Sequence, residues 1–220
     1  MAVDQKRRVR RVGLCVSCVC IGFAIATAIA VGVIGITTSQ APTGCAQPIN
    51  DIMQIGSYQL IVDSWRKYIK VYHYGRNETV LATLKKRQWT VPYIYDLMDP
   101  NGISNSYVTS QTFQLGASLS SFDCSGTPIG YSIQAEVLSF RWTIKDTQSN
   151  IIAYTSQTGY VPVVYDVVDA KDPSIKYATL SRGELPWTDS WRLEVFKQLG
   201  SLDIRQYYFI MADTSFTGIH

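Results

Sequence analysis

The longest hydrophobic stretch of the sequence runs from Val12 to Ile36, twenty-five residues without a charged side chain. A helix rises about 1.5 Å per residue, so this stretch would reach roughly 37 Å, more than the ~30 Å hydrocarbon core of a bilayer. Because basic flanks stay in the cytoplasm, the pattern predicts a basic cytoplasmic tail over 1–11 and a single-pass type II transmembrane anchor over 12–36. Everything after the anchor would then lie on the extracellular or lumenal side.

A secretory signal peptide is the alternative, because it also combines a basic start with an apolar middle. Ala28-Ile29-Ala30 fits a cleavage site, but the apolar run continues to Ile36, which favours an uncleaved anchor. Small residues recur every four positions at Ala24, Ala28 and Gly32. Such a stripe lets membrane helices approach closely, so it predicts homo- or hetero-oligomers formed through the anchor helix.

After a polar linker over 37–56, the pattern becomes that of short β-branched and aromatic strands that begin at Tyr58. Turn signals recur about every 23 to 26 residues, which leaves room for two or three strands between them and favours an antiparallel, all-β meander. Val91–Asp99 and Val161–Asp169 match each other, as one β unit used twice would. A duplicated meander can close on itself and hide its edges, so we expect a β-barrel domain over 57–220.

The C-terminal segment has a different pattern. Tyr207 to Ala212 are six consecutive apolar or aromatic residues, and Ser201 or Asp203 can cap a helix in front of them. A helix that is apolar on all sides belongs in a protein interior. The sequence therefore favours a buried C-terminal helix, and the alternative is one more buried strand.

Three segments resemble the repeating strand–turn–strand units of tubby-like domains: Ser121–Gly130, Phe140–Asp146, and Asp189–Val195 with the Leu202–Arg205 segment that follows it. This superfamily includes the tubby C-terminal domain, the plant LURP-one-related proteins and the phospholipid scramblases. The resemblance implies a closed antiparallel barrel of about twelve strands around a hydrophobic C-terminal helix. The N-terminal anchor departs from the scramblase pattern, and no position here matches the phosphoinositide-binding basic pair of tubby, so no ligand residue is carried over.

Charge and cysteine usage add detail to this picture. The first eleven residues hold five of the 20 basic and one of the 17 acidic side chains, so 15 basic and 16 acidic side chains remain and their net charge is −1. The basic balance therefore reflects membrane orientation and does not indicate nucleic-acid binding. Beyond the anchor the sequence contains Cys45 and Cys124, which are candidates for a disulfide in an oxidising compartment. Asn77-Glu78-Thr79 is a candidate glycosylation site.

Catalytic motifs are lacking in the sequence. The histidines are His73 and His220, and neither a Gly-x-Ser-x-Gly motif nor a phosphate-binding loop occurs, so we expect no enzymatic activity. The chain shows no cofactor motif, and calcium is the one ion that the sequence suggests. Its candidate ligands are two pairs of carboxylates at predicted strand ends, and the alternative is ordinary turn chemistry. These pairs are Asp96 with Asp99 and Asp166 with Asp169.

A basic run with nearby tryptophans is the candidate lipid contact, because Lys, Arg and Trp suit the headgroup level of a membrane. It consists of Trp65, Lys85, Lys86, Arg87 and Trp89, and the alternative is a solvated strand end. The sequence thus predicts a membrane-anchored, non-catalytic β-barrel that binds phospholipid headgroups or a membrane partner. The alternatives are a structural subunit of a larger membrane assembly and, by analogy with the scramblases, phospholipid scrambling.

Overall fold

The computed structural model describes residues 45, 49–63, 68–76, 78–87, 90, 92–111, 116–134, 141–160, 162–183 and 190–217. The chain divides into two units, 1–40 and 41–220, and the described residues all belong to the second. The predicted anchor over 12–36 therefore lies outside the described residues. Within the described ranges, no helix has both the length and the apolar character needed to cross a bilayer.

The described chain folds into a closed antiparallel barrel of twelve strands, in which each strand pairs with its neighbours in sequence. The first strand closes the barrel by pairing with the last, from Gly56 opposite Val195 to Ile61 opposite Ser190. The barrel predicted from the sequence is thus confirmed. Its strands are β1 Gly56–Val62, β2 Tyr68–His73, β3 Ala82–Lys86, β4 Tyr93–Met98, β5 Ser104–Gln111, β6 Ser118–Asp123, β7 Pro128–Gln134, β8 Trp142–Lys145, β9 Ile151–Tyr160, β10 Val163–Asp169, β11 Lys176–Arg182 and β12 Ser190–Val195.

The two ends of the barrel differ. Because neighbouring strands are antiparallel, odd-numbered strands begin and even-numbered strands end at the same end, which we call the proximal end; the opposite end is the distal end. A disulfide joins Cys45 to Cys124 in the β6–β7 turn at the proximal end, with the two Cα atoms 5.4 Å apart. A short 3₁₀ turn, Asn50–Ile52, then leads into β1. Cys45 is therefore held at the proximal end, beside the β6–β7 turn.

Aspartates close four successive turns at the proximal end. The Oδ1 atoms of Asp99, Asp123, Asp146 and Asp169 each accept backbone N–H groups from residues two to four positions later, at 2.7 to 2.9 Å. An aspartate in this position replaces a missing backbone partner and fixes a tight turn.

The two matching sequence passages contain β4 and β10, which lie six strands apart in the closed order and therefore on opposite sides of the barrel.

The C-terminal segment forms helix α1, Arg205–Thr217, and every residue from Gln206 to Phe216 is buried. The predicted helix is confirmed, and the alternative of another strand is wrong. The Asp203 carboxylate accepts the backbone N–H of Arg205 at 2.9 Å at the start of α1.

Helix α1 contacts several sides of the barrel. Near the proximal end, the hydroxyl of Tyr208 donates to the carbonyl of Ile52 at 3.2 Å. Near the distal end, Trp191 Nε1 donates to Ser215 Oγ at 2.9 Å, and the rings of Tyr95 and Phe216 stack 5.2 Å apart. Partners on β4 and β12, together with the segment before β1, show that α1 runs through the barrel from the proximal to the distal end.

Gly130 on β7 allows α1 to approach the strand closely. A Cβ atom built at this position would lie 2.2 Å from Gln206 Nε2 and 2.8 Å from the carbonyl oxygen of Lys145. We expect Gly130→Ala to lower the free energy of unfolding by about 1–3 kcal/mol more than Gly102→Ala, because the added methyl group collides with the Gln206 side chain and with the backbone carbonyl of Lys145 on β8. Gly102 is a matched control, since it also has a positive φ but no atom within 4 Å of its built Cβ. Urea unfolding of the full chain in mild detergent measures the difference; equal losses would contradict the close approach.

Candidate functional site

The interior of the barrel is occupied by α1, whose side chains are buried from Gln206 to Phe216. Side chains able to meet a partner molecule therefore lie on the outer wall and at the two ends. The sequence predicts the site residues at strand ends, and the structure describes the positions of some of them. Trp65, Asn77 and Trp89 lie outside the described residues.

The predicted basic run ends β3 and lies at the distal end, opposite the end that holds Cys45. Each of its three cationic groups lies over an aromatic ring of another strand, on β2, β4 or β5. The pairs are Lys85 with Tyr68 at 5.8 Å, Lys86 with Tyr93 at 3.8 Å, and Arg87 with Tyr107 at 5.6 Å from the ring centroid. Such cation–π contacts stabilise the sheet surface by about 0.5–1 kcal/mol each at exposed sites. The run thus has interactions within the barrel itself.

Arg87 also forms a two-pronged ion pair with Asp96 on β4. Its Nε and Nη2 atoms each lie 2.7 Å from a carboxylate oxygen of Asp96. This hydrogen bonding raises the pKa of the Arg87 guanidinium above its ordinary value, and partial burial acts in the opposite direction. Burial lowers the pKa of the neighbouring Lys86 ammonium group. Among the three basic residues Lys85 is exposed, whereas Lys86 and Arg87 are partly buried, so the run presents less free charge than its sequence indicates.

The four aspartates predicted as calcium ligands each have partners in the fold. Asp96 binds Arg87, and Asp99 closes the β4–β5 turn. The other pair is engaged on β11: Asp166 accepts from Lys176 and Thr179, both at 2.9 Å, and Asp169 accepts the hydroxyl of Tyr177. Within the described ranges, no three His, Cys, Asp or Glu side chains are grouped so that they could hold a metal ion. Calcium binding stays a prediction, and the aspartates have the structural partners that the turn alternative requires.

A buried polar cluster that the sequence did not reveal lies near the distal end. Asp213 on α1 is buried, and its Oδ1 accepts the hydroxyls of Ser110 at 2.7 Å and Tyr95 at 3.0 Å. Burial raises the pKa of the Asp213 carboxyl, and these two hydrogen bonds and the charge of Lys86 oppose that shift. Burial is also the main reason why the pKa of Tyr95 is raised. The signal in the sequence was an ionisable residue directly after six apolar positions of a helix.

One side of the interior is lined by small hydroxyl side chains. The inward positions of β5, β6 and β7 include four buried serines, namely Ser106, Ser110, Ser121 and Ser132. Ser132 donates to Oε1 of Gln206 on α1 at 3.2 Å. Gln206 and Asp213 are seven residues apart and so lie on one face of the helix, about two turns from each other. The serine-lined side therefore fixes which face of an otherwise apolar helix is turned toward β5–β7.

No protein-family model matches the chain, and no curated protein matches it. The tubby-like relationship therefore remains a hypothesis based on the quoted segments, and the barrel with its central helix is compatible with it.

The ion pair of Arg87 predicts different effects for two neighbouring basic residues. We expect Arg87→Gln to lower the free energy of unfolding by about 1–3 kcal/mol, since it leaves the partly buried Asp96 carboxylate without its charged donor. Lys85→Gln is the matched control, and it should cost no more than about 0.5–1 kcal/mol because its exposed side chain loses only the contact with Tyr68. Urea unfolding in mild detergent distinguishes the two. Equal effects would show that the ion pair contributes nothing.

The raised pKa of Asp213 predicts a pH-dependent stability. The folded state binds the Asp213 proton more tightly than the unfolded state, so the contribution of Asp213 to stability should fall as the pH rises from the unfolded carboxyl pKa of about 4 through the raised folded value. Asp213→Asn should remove this decrease while still accepting from Ser110 and Tyr95. At about pH 7 we expect the free energy of unfolding of the variant to exceed that of the wild type by about 1 kcal/mol.

Thermal unfolding at about pH 4 and about pH 7 tests this expectation. The exposed Asp51 provides the control, since Asp51→Asn should leave the pH dependence of the wild type unchanged. Parallel pH profiles for the wild type and Asp213→Asn would show that the buried carboxylate does not determine this decrease.

Proposed function

We propose that the chain is a single-pass, type II membrane-anchored protein whose barrel is a non-catalytic binding domain. The observation that carries this proposal is the complete burial of α1 from Gln206 to Phe216 along the barrel axis. A barrel filled by its own helix uses its interior for stability, so a partner is met on the outer wall or at the ends. The uncharged stretch over 12–36 supports placement of the domain at a membrane.

The tubby-like resemblance supports the same function. Twelve antiparallel strands closed around a C-terminal hydrophobic helix are the architecture that the resemblance implies, and the described chain has this architecture. Fold alone does not define function, because one fold supports many activities. The proposal therefore concerns a class of function, the binding of phospholipid headgroups or of a membrane partner by the surface of the barrel.

The basic run on β3 is a weaker candidate for headgroup binding than its sequence suggests. Arg87 is held by Asp96, and Lys86 is partly buried over the ring of Tyr93. Charge already neutralised within a protein attracts anionic lipids less strongly. The lipid contact is therefore expected on another part of the barrel surface.

Membrane association and topology are tested on the full chain. We expect it to remain in the membrane pellet after alkaline carbonate extraction, because an anchor of twenty-five uncharged residues is not released by high pH. In a eukaryotic secretory pathway, Asn77 should be glycosylated, and Asn77→Gln provides the control for the mass shift. Recovery of the uncleaved chain in the supernatant would contradict the proposed anchoring.

Native mass spectrometry in mild detergent then separates the two kinds of partner. Retained phospholipid would support headgroup binding, whereas a complex of defined protein stoichiometry would support a role as a structural subunit. A lipid-free and monomeric chain would contradict both forms of the proposed function.

A further inference from the structure

The segment that leads into β1 crosses the proximal opening of the barrel. Cys45 is held at the β6–β7 turn, whereas β1 begins at Gly56. In the closed strand order β1 lies six strands from β7 in one direction and five strands from β6 in the other. The two points therefore lie on opposite sides of the barrel, and the chain between them joins one side to the other.

Residues 49–55, which we call the strap, turn one side toward the barrel interior. Ile49 and Ile52 are buried, whereas the two residues between them are exposed. The hydroxyl of Tyr208 on α1 donates to the carbonyl of Ile52 at 3.2 Å. Because α1 lies inside the barrel, this contact places the strap over the opening above the first turns of the helix.

Further hydrogen bonds fasten the strap to the barrel. The hydroxyl of Tyr58 on β1 lies 3.0 Å from the carbonyl oxygen of Asp51 and 2.9 Å from that of Gln54. The Nε2 atom of Gln198, in the segment after β12, donates to the carbonyl of Met53. Each of these bonds uses a backbone carbonyl of the strap, so the strap covers the opening in one defined conformation.

The disulfide holds the end of the segment that is farthest from β1, and the strands pair without it. β1 pairs with β12 and β2, and β6 pairs with β5 and β7. The β6–β7 turn is closed by the Asp123 carboxylate. Cys45 is exposed and Cys124 is partly exposed, so a thiol reductant can reach the bond. Breaking the bond would free Cys45 while the strand ladder and the turn remain in place.

We propose that the Cys45–Cys124 disulfide is a redox-controlled latch on the strap. In an oxidising compartment the disulfide is closed and the strap covers the proximal opening. Reduction by a dithiol frees Cys45, so that the strap opens more often and exposes the first turns of α1. The inference goes beyond the proposed membrane role and does not depend on it, because it concerns residues 45–220 alone.

The redox step is a thiol–disulfide exchange. A thiolate of the dithiol attacks the sulfur of Cys45, which is the more exposed residue, and Cys124 leaves as a thiolate and takes up a proton. The second thiol of the reductant then attacks the mixed disulfide and releases Cys45 as a thiol. The protein gains two electrons and two protons, and the dithiol becomes a disulfide.

Hydrogen exchange of the full chain in mild detergent tests the latch, with and without dithiothreitol. On reduction we expect the amides of residues 49–55 and 205–208 to exchange roughly tenfold faster, because the strap is then held at one end. Residues 178–182 within β11 and 212–216 of α1 are the internal controls. They should stay protected over the times at which the strap becomes labelled. Reoxidation should restore the slow exchange of the strap.

Variants provide the second measurement. Cys45→Ser combined with Cys124→Ser should show the fast exchange of the strap without reductant and should not respond to dithiothreitol. The missing response excludes a contribution from the three cysteines near the N-terminus. Arg87→Gln controls for general destabilisation, because it weakens the distal end while the disulfide stays closed. Its strap should exchange as in the oxidised wild type.

Two results would overturn the inference. Equal exchange of the strap in the oxidised and reduced wild type would show that the hydrogen bonds of the strap suffice to hold it. Simultaneous labelling of the strap, β11 and the distal part of α1 on reduction would show that the disulfide acts on unfolding of the whole barrel. Either result leaves the proposed membrane anchoring untouched, because carbonate extraction tests that separately.

Discussion

The enclosure of α1 by the barrel is the interaction on which the rest of the structure depends. A helix with apolar side chains all round cannot be stable in water, and a closed twelve-stranded sheet needs side chains to fill its axis. The barrel thus shields the helix from water, and the helix fills the axis of the barrel. The arrangement is fixed at both ends: Asp203 caps the helix where it begins, and Asp213 binds Tyr95 and Ser110 where it nears the distal end. The serine-lined strands β5–β7 determine its orientation about the axis.

Because α1 fills the barrel, the inward-facing side chains contribute to stability and the outward-facing side chains remain available for other contacts. Inward-facing positions of the strands pack on the helix, and closure of the ladder gives each of the twelve described strands a partner on both sides. The proximal end adds tight turns closed by aspartates and the Cys45–Cys124 disulfide. These features hold the frame rigid, so the outward-facing side chains are the part of the barrel that can vary without loss of the fold.

Local features of the sequence predicted much of the fold, whereas the contacts that define the candidate sites are long-range. The aspartate turns and the apolar run from Tyr207 to Ala212 are read within a few residues, so the meander and the helix could be predicted. Partners distant in sequence could not, because nothing local marks Tyr95 as the partner of Asp213, 118 residues later. The basic run and the calcium ligands were also predicted without their true partners, because the pairing of Arg87 with Asp96 depends on strand register. Arg87 and Asp96 belonged to two separate hypotheses, and the register of β3 with β4 joins them in one ion pair.

The exposed apolar side chains near β1 require an explanation that packing does not provide. In a closed barrel the outward positions of a strand face water, and a fold selected for stability alone would place polar groups there. Ile55, Tyr74 and Phe196 come from segments up to 141 residues apart in sequence, and only closure of β1 onto β12 brings them together. They lie at the proximal end, across the barrel from the β6–β7 turn where the disulfide holds Cys45. The closure of β1 onto β12 that encloses α1 therefore also brings these exposed side chains to one side of the barrel.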